Sequence, residues 1–137
     1  MEEKLAVSLQ EALQEGDTRA LREVLEEIHP QDLLALWDEL KGEHRYVVLT
    51  LLPKAKAAEV LSHLSPEEQA EYLKTLPPWR LREILEELSL DDLADALQAV
   101  RKEDPAYFQR LKDLLDPRTR AEVEALARYE GTRRAAS

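Results

Sequence analysis

Residues 64–99 read LSPEEQAEYLKT, LPPWRLREILEE and LSLDDLADALQA, three consecutive twelve-residue units that each begin with leucine. The same period extends in both directions, because a large apolar residue occupies every twelfth position from Ile28 to Val100. One further unit, GDTRALREVLEE, fits upstream. Self-similarity of this kind indicates stacked copies of one short element.

Each unit has the pattern of one short amphipathic helix. Leu81, Ile84, Leu85 and Leu88 have the i, i+3, i+4, i+7 spacing of one helix face. The second and third positions of most units hold helix-starting residues such as Ser65-Pro or Pro-Pro. Helices of about 8 to 10 residues are too short to be stable alone, so we expect them to persist by stacking.

The pattern predicts an all-α domain of about ten short helices over residues 1–130. An amphipathic helix over residues 3–15 precedes the repeat, and two helices that open at Asp104-Pro105 and Asp116-Pro117 follow it, the last running to about Tyr129. Only the run over 46–52 admits a strand interpretation. Residues 131–137, GTRRAAS, carry no pattern and are interpreted as a linker start or a non-native remnant.

The two tryptophans occupy different positions in their units. Trp37 is at the tenth, core-facing position, which predicts a packing role, and Arg45 of the next unit also falls at a core position. Trp79 projects opposite the apolar face. It either covers the neighbouring turn or marks a contact with a partner, and a lone exposed aromatic does not distinguish the two.

The composition excludes several classes of function. A formal net charge of −10 argues against nucleic acid and anionic membranes as partners. The chain has no cysteine, no apolar run long enough to insert into a membrane, and an acidic N-terminus unlike a signal peptide. The absence of asparagine, with a single methionine, hints at a thermophilic source. No catalytic motif is present and the three histidines are scattered, so we expect a protein that is not an enzyme.

Acidic residues predominate at the eighth position of the units, which projects away from the core. Most of them have a basic residue at helical spacing, which predicts local ion pairs between Arg19 and Glu23, Glu71 and Lys74, and Arg80 and Glu83. A solvated face is the simplest interpretation of these acids.

Asp91, Asp92 and Asp95 are different, because their unit contains three acids and no basic residue. Asp91 and Asp95 lie four positions apart, on one predicted exposed face. Acids in a first turn complement the helix dipole, which explains Asp91 and Asp92 better than Asp95.

Glu59 is a further acid with little local compensation. Only Lys56 is nearby, and Ala55 and Ala58 are expected to be small exposed residues that let another surface approach. Unpaired carboxylates on an open face suit a hard cation such as Mg²⁺, which keeps several waters and accepts one or two carboxylates per surface. A solvated face without a cation remains the alternative.

From about Leu5 to Tyr129 the chain resembles the N-terminal cytosolic domain of MgtE-type magnesium transporters. The resemblance rests on LSPEEQAEYLKTLPPWRLREILEELSLDDLADAL and on LLDPRTRAEVEALARYE. It implies a right-handed superhelix of short helices, followed in the full-length protein by a pair of CBS domains and a membrane channel. It also implies a cytoplasmic domain of an integral protein of the cell membrane, with a homodimeric full-length form.

The resemblance implies a function and a ligand set. Mg²⁺ held between the cytosolic domains draws them together and closes the pore, and scarcity of Mg²⁺ releases this domain. The bridging acids would correspond to Glu59, Asp91 and Asp95, with Asp92 a weaker candidate. Since no CBS or membrane sequence is present in these residues, the sites here would be half-sites.

A second resemblance belongs to another class of function. The segment IHPQDLLALWDEL is similar to a Glu-His-Pro-Gln region of the flagellar motor switch protein FliG, although Ile28 stands where that motif has glutamate. It implies a protein-docking module with a partner near His29, Pro30 and Gln31 and no cation dependence. A plain helical scaffold is the third alternative.

Overall fold

The computed structural model describes residues 2–136, and in that range the chain forms ten α-helices, one 3₁₀ turn and no β-strand. This confirms the predicted all-α fold of about ten short helices. The elements are α1 (Glu2–Glu15), α2 (Thr18–Glu27), α3 (Pro30–Leu36), the 3₁₀ turn (Trp37–Glu39), α4 (Gly42–Leu51), α5 (Lys54–Ser62), α6 (Pro66–Thr75), α7 (Pro78–Glu87), α8 (Leu90–Glu103), α9 (Pro105–Leu114) and α10 (Pro117–Ala136).

Cap and proline residues set where the helices begin. The Asp17 carboxylate accepts a hydrogen bond from the Ala20 amide at 3.1 Å, and the Ser65 hydroxyl accepts one from the Glu68 amide at 3.2 Å. Each bond satisfies a first-turn amide that has no partner inside its helix. Gly16 links α1 to α2 with a φ of 68°, a conformation that glycine adopts without a steric penalty.

The unit over residues 40–51 departs most from the repeat, because Lys41-Gly42 replaces the cap pair and Arg45 falls at a core position, but it also forms a helix. Residues 46–52 belong to α4 and its C-terminal cap, which confirms the helix that the repeat predicts there and excludes the strand alternative. Arg45 is half-buried there, and its Nε donates to the Trp37 carbonyl oxygen at 2.9 Å. Trp37 is 3% exposed, which confirms its predicted packing role.

The chain divides into two compact units, Met1–His63 and Leu64–Ser137. In the first unit α1 contacts α2 and α3, α2 contacts α4, and α3 contacts α5. The fully buried side chains there come from the predicted apolar positions, and the largest are Leu9, Leu25, Ile28, Leu33, Leu49, Leu52 and Leu61.

In the second unit α8 contacts α6, α9 and α10. The Tyr107 hydroxyl donates to the Leu73 carbonyl oxygen at 2.7 Å, and Lys74 lies 3.4 Å from the Asp104 carboxylate, so both contacts join α6 to the start of α9. Helix α10 runs to Ala136, beyond the end predicted near Tyr129. The domain boundary at residue 130 stays a prediction.

Candidate functional site

The acids expected to bind a cation lie on two helices, one in each unit. Glu59 is on α5, whereas Asp91, Asp92 and Asp95 are on α8. Glu59, Asp91 and Asp95 are exposed and Asp92 is half-buried.

The start of α8 positions Asp91 and Asp95. The Ser89 hydroxyl accepts a hydrogen bond from the Asp92 amide at 3.1 Å, which starts the helix just before the acids. Leu93 and Leu97, on the opposite face, are 2% and 1% exposed, so burial of the leucines turns the two aspartates outward. Side chains four positions apart on a helix have Cβ atoms about 6 Å apart. One hydrated cation can therefore contact both carboxylates.

None of the four carboxylates forms an ion pair with a side chain in the part of the chain that the structure describes. Elsewhere acids are paired, as with Arg80 and Glu83 at 3.2 Å, which confirms that prediction. The expected pair between Glu71 and Lys74 is wrong, because Lys74 lies beside Asp104. Asp95 thus differs in environment from Glu83, its equivalent on α7, whereas Glu71, its equivalent on α6, likewise has no ion pair among the described residues.

Glu59 lacks the cation that the sequence places beside it. The Lys56 ammonium donates instead to the carbonyl oxygens of Leu25 at 3.3 Å, of Ile28 at 2.9 Å and of Glu26. These groups end α2, where a positive charge also complements the helix dipole. The Glu59 carboxylate is exposed, and Lys56, the basic residue nearest to it in the sequence, binds backbone carbonyls instead.

The surroundings of Glu59 differ in one respect from the expectation. Ala55 is exposed, but Ala58 is buried at 3% exposure and packs in the first unit. The expectation that both alanines are exposed is therefore wrong for Ala58, because α5 buries a broader face than the repeat pattern indicates.

The described side chains include no group of three or more His, Asp or Glu residues that could hold a metal ion together. Each candidate position therefore offers one or two carboxylate ligands. Carboxylate oxygen is the right donor for Mg²⁺, which retains water in its remaining positions. The chemistry of the donors fits the predicted ion, and a complete protein site requires further ligands.

The His-Pro-Gln segment has a local structural role. The His29 Nδ1 accepts a hydrogen bond from the Gln31 amide at 3.2 Å, and Pro30 is the buried first residue of α3. Of the three residues only His29 and Gln31 are exposed. Helix initiation is therefore one role of this segment, and the FliG-like docking module stays a prediction.

A cleft in the second unit was not anticipated from the sequence. It has a volume of about 270 Å³ and is lined by α8, α9 and α10. Its residues lie far apart along the chain, so no local spacing indicates it.

These observations define the class of the protein as an all-α chain of short helices that exposes unpaired carboxylates. A model of the family described as the MgtE intracellular N domain matches residues 28–131, and the chain belongs to that family. The family description names an intracellular domain and no enzymatic activity.

A solved structure agrees with this assignment in fold. The chain is similar to the "soluble part of a magnesium transporter", with a TM-score of 0.73 and 20% sequence identity over 92% of this chain. The match covers 49% of that protein, so this chain spans about half its length. Within the described residues, no helix combines the length and the apolarity needed to cross a membrane.

Proposed function

We propose that this chain is the intracellular magnesium-sensing arm of a magnesium transporter. Glu59, Asp91 and Asp95 contribute ligands to Mg²⁺ ions shared with another part of the full-length protein, and Asp92 is a secondary ligand. The observation that carries the proposal is the pair of exposed carboxylates on α8 that no side chain neutralises among the described residues. Membership of the MgtE N-domain family supports it.

The mechanism is an electrostatic switch between two arrangements of domains. At low Mg²⁺, a chain of net charge −10 is repelled by another acidic surface. At high Mg²⁺, bridging ions bind the docked arrangement better than the separated one and therefore increase its population. The docking partner is the pair of CBS domains that follows in the same polypeptide, and docking closes the pore in the cell membrane.

Several weak sites are needed for this task. A site with a Kd of about 1 mM shifts the equilibrium by RT ln(1 + [Mg²⁺]/Kd), which is about 0.4 kcal/mol at 1 mM Mg²⁺ and about 1.4 kcal/mol at 10 mM, whereas moving an equilibrium from 1:99 to 99:1 needs about 5.5 kcal/mol of preference. Several bridging ions acting together therefore produce a steep response at millimolar Mg²⁺. This is why separate positions on α5 and α8 are useful to a sensor.

The proposal is tested first on the 137-residue chain by amide NMR. We expect saturable Mg²⁺-induced shifts around residues 90–98 and around Glu59, beyond those caused by KCl at the same ionic strength. The substitutions Asp91→Asn and Asp95→Asn should remove the set of Mg²⁺-induced shifts around residues 90–98. Asp113→Asn, which removes an exposed carboxylate on α9, is the matched control and should leave it unchanged.

The regulatory part of the proposal needs the full-length protein. Mg²⁺-dependent compaction, measured by limited proteolysis or by distance between spin labels, should weaken in the triple variant Glu59→Ala, Asp91→Ala, Asp95→Ala. Compaction with the same Mg²⁺ midpoint as the parent would contradict the ligand assignment. Loss of compaction in the Asp113→Asn control would show that net charge, not these positions, is responsible.

A further inference from the structure

The cleft of about 270 Å³ in the second unit has an apolar floor. Ala94, Leu97 and Val123 are all at most 4% exposed, and the half-buried Phe108 ring forms one wall. Three helices, α8, α9 and α10, contribute to it. Such concave sites with a few polar groups at their edge are the usual places where small molecules bind.

The charges around this cleft have the opposite sign to the rest of the molecule. Its lining includes Arg101, Lys112 and Arg128 but only one acid, Glu124, in a chain whose net charge is −10. A second cleft of about 220 Å³ in the same unit has the reverse balance. Its charged lining residues are Arg82, Glu86, Asp116 and Glu122.

Two of the basic groups are held over the aromatic wall. The Arg101 guanidinium carbon lies 5.7 Å from the centre of the Phe108 ring, and the Lys112 ammonium lies 5.2 Å from it. Lys112 also lies 3.0 Å from the Glu124 carboxylate, and its side chain is only 17% exposed. Cations at such distances from a ring are attracted by its π-electrons, which orders them.

The pKa of Glu124 reports the local field. It is lowered, first by the hydrogen bond from Lys112, then by the charge of Lys112, and further by the charges of Arg128 and Arg120. A single carboxylate therefore experiences three nearby cations. Positive charge remains at the mouth after Glu124 has paired with Lys112, because Arg101 has no ion pair among the described residues.

We propose that this cleft is a binding site for a small aromatic carboxylate, with the ring on the apolar floor and the carboxylate at Arg101. A cleft of about 270 Å³ is at the small end of ligand pockets, which suits a single ring with one short acidic group. Guanidinium groups bind carboxylates through two parallel hydrogen bonds. The exposed amides of Gln98 and Gln109, which make no hydrogen bond to the described residues, supply further donors.

The probe is benzoate, titrated into the 137-residue chain and followed by amide NMR. We expect saturable shifts confined to the lining of this cleft, with a Kd on the order of 1 mM, as suits a ligand of this size. Benzamide has the same shape without the charge, and benzylammonium reverses the charge. Both should bind at least about tenfold more weakly, since the charge-assisted hydrogen bonds are lost.

Matched variants separate the cleft from general electrostatics. Arg101→Gln should weaken benzoate binding about tenfold, whereas Arg110→Gln, an exposed arginine on α9 outside the cleft, should change it less than twofold. Equal affinity for benzoate and benzamide, or equal effects of the two variants, would overturn the proposal. Benzoate-induced shifts at the acidic second cleft, and not at this one, would also overturn the proposal. If a variant unfolds, the comparison of benzoate, benzamide and benzylammonium on the parent chain still tests the proposal.

Discussion

Lys56 provides the sharpest test of how the first unit is held together. Its ammonium binds carbonyl oxygens at the end of α2, about thirty residues earlier in the chain, from a position on α5. Lys56→Met keeps most of the aliphatic stem and removes the charge and the donors. The change should therefore loosen the junction of α2 and α5 without creating a cavity.

The expected magnitude follows from these contacts. A cation at a partly buried helix C-terminus contributes up to about 2 kcal/mol, and hydrogen bonds to a charged group contribute roughly 1.5–3 kcal/mol. The two contributions overlap because one ammonium makes both, and water can reach a half-buried group. We therefore expect a loss of about 2 kcal/mol in the free energy of unfolding, or a Tm lowered by roughly 6–8 °C.

The assay is urea denaturation followed by circular dichroism, with amide hydrogen exchange as the local readout. Exchange should accelerate at the Ile28 amide, which donates to the Val24 carbonyl at the end of α2, and should stay unchanged in α8. Lys4→Met removes an exposed ammonium from the same unit and should cost less than about 0.5 kcal/mol. Equal stabilities of the two variants would refute the capping role.

Two further predictions concern the second unit. Ser89→Ala should cost about 1 kcal/mol and accelerate exchange in the first turn of α8, because it removes the acceptor of the Asp92 amide; an unchanged exchange rate at Asp92 would contradict this. The pKa of Asp104 is lowered from 3.8, chiefly by the Tyr107 amide and also by Lys74, so its contribution to stability is present above pH 3.8 and lost as the pH falls through the lower folded value. Asp104→Asn, which can still cap α9, should therefore reduce the acid-induced fall of the urea midpoint below about pH 4. A fall equal to that of the parent would exclude the role of the charge.

The helices could be predicted from the sequence because local chemistry sets their boundaries. Helices α6 and α7 begin at Pro66 and Pro78 and end before the next cap, as the twelve-residue register predicts. The buried face of each helix was also predicted correctly. In the units that form α7 and α8, the residues at the sixth, ninth and tenth positions are buried. Repetition strengthens each local signal, because the same pattern is tested several times in one chain.

Contacts between distant residues could not be predicted in this way. Arg80 was predicted to form an ion pair with Glu83 on the surface. It forms that pair, but Arg80 is only 5% exposed, so its side chain also packs in the interior. Lys74 and Lys56 bind groups about thirty residues away, in preference to the acids three positions along their own helices. Spacing within a helix gives the available partners but not the competition from other helices.

The candidate sites likewise include one part that the sequence predicted and one part that it did not. Asp91 and Asp95 were evident because their unit has no basic residue, and the structure places both on an exposed face. The cleft near Phe108 left no signal, since its three helices meet only after folding.

The placement of the basic side chains explains why carboxylates stay unpaired. The chain has 19 Lys and Arg residues against 29 Asp and Glu residues, and several of the bases bind backbone carbonyls at helix ends. Arg45 binds the Trp37 carbonyl, Lys56 the end of α2, and Arg120 the Lys112 and Leu115 carbonyls at the end of α9. Short helices have many ends per residue, and their exposed carbonyls compete with carboxylates for cations. A stack of short helices with excess acid therefore retains negative faces that a divalent ion can neutralise, which connects the repeat to the proposed response to Mg²⁺.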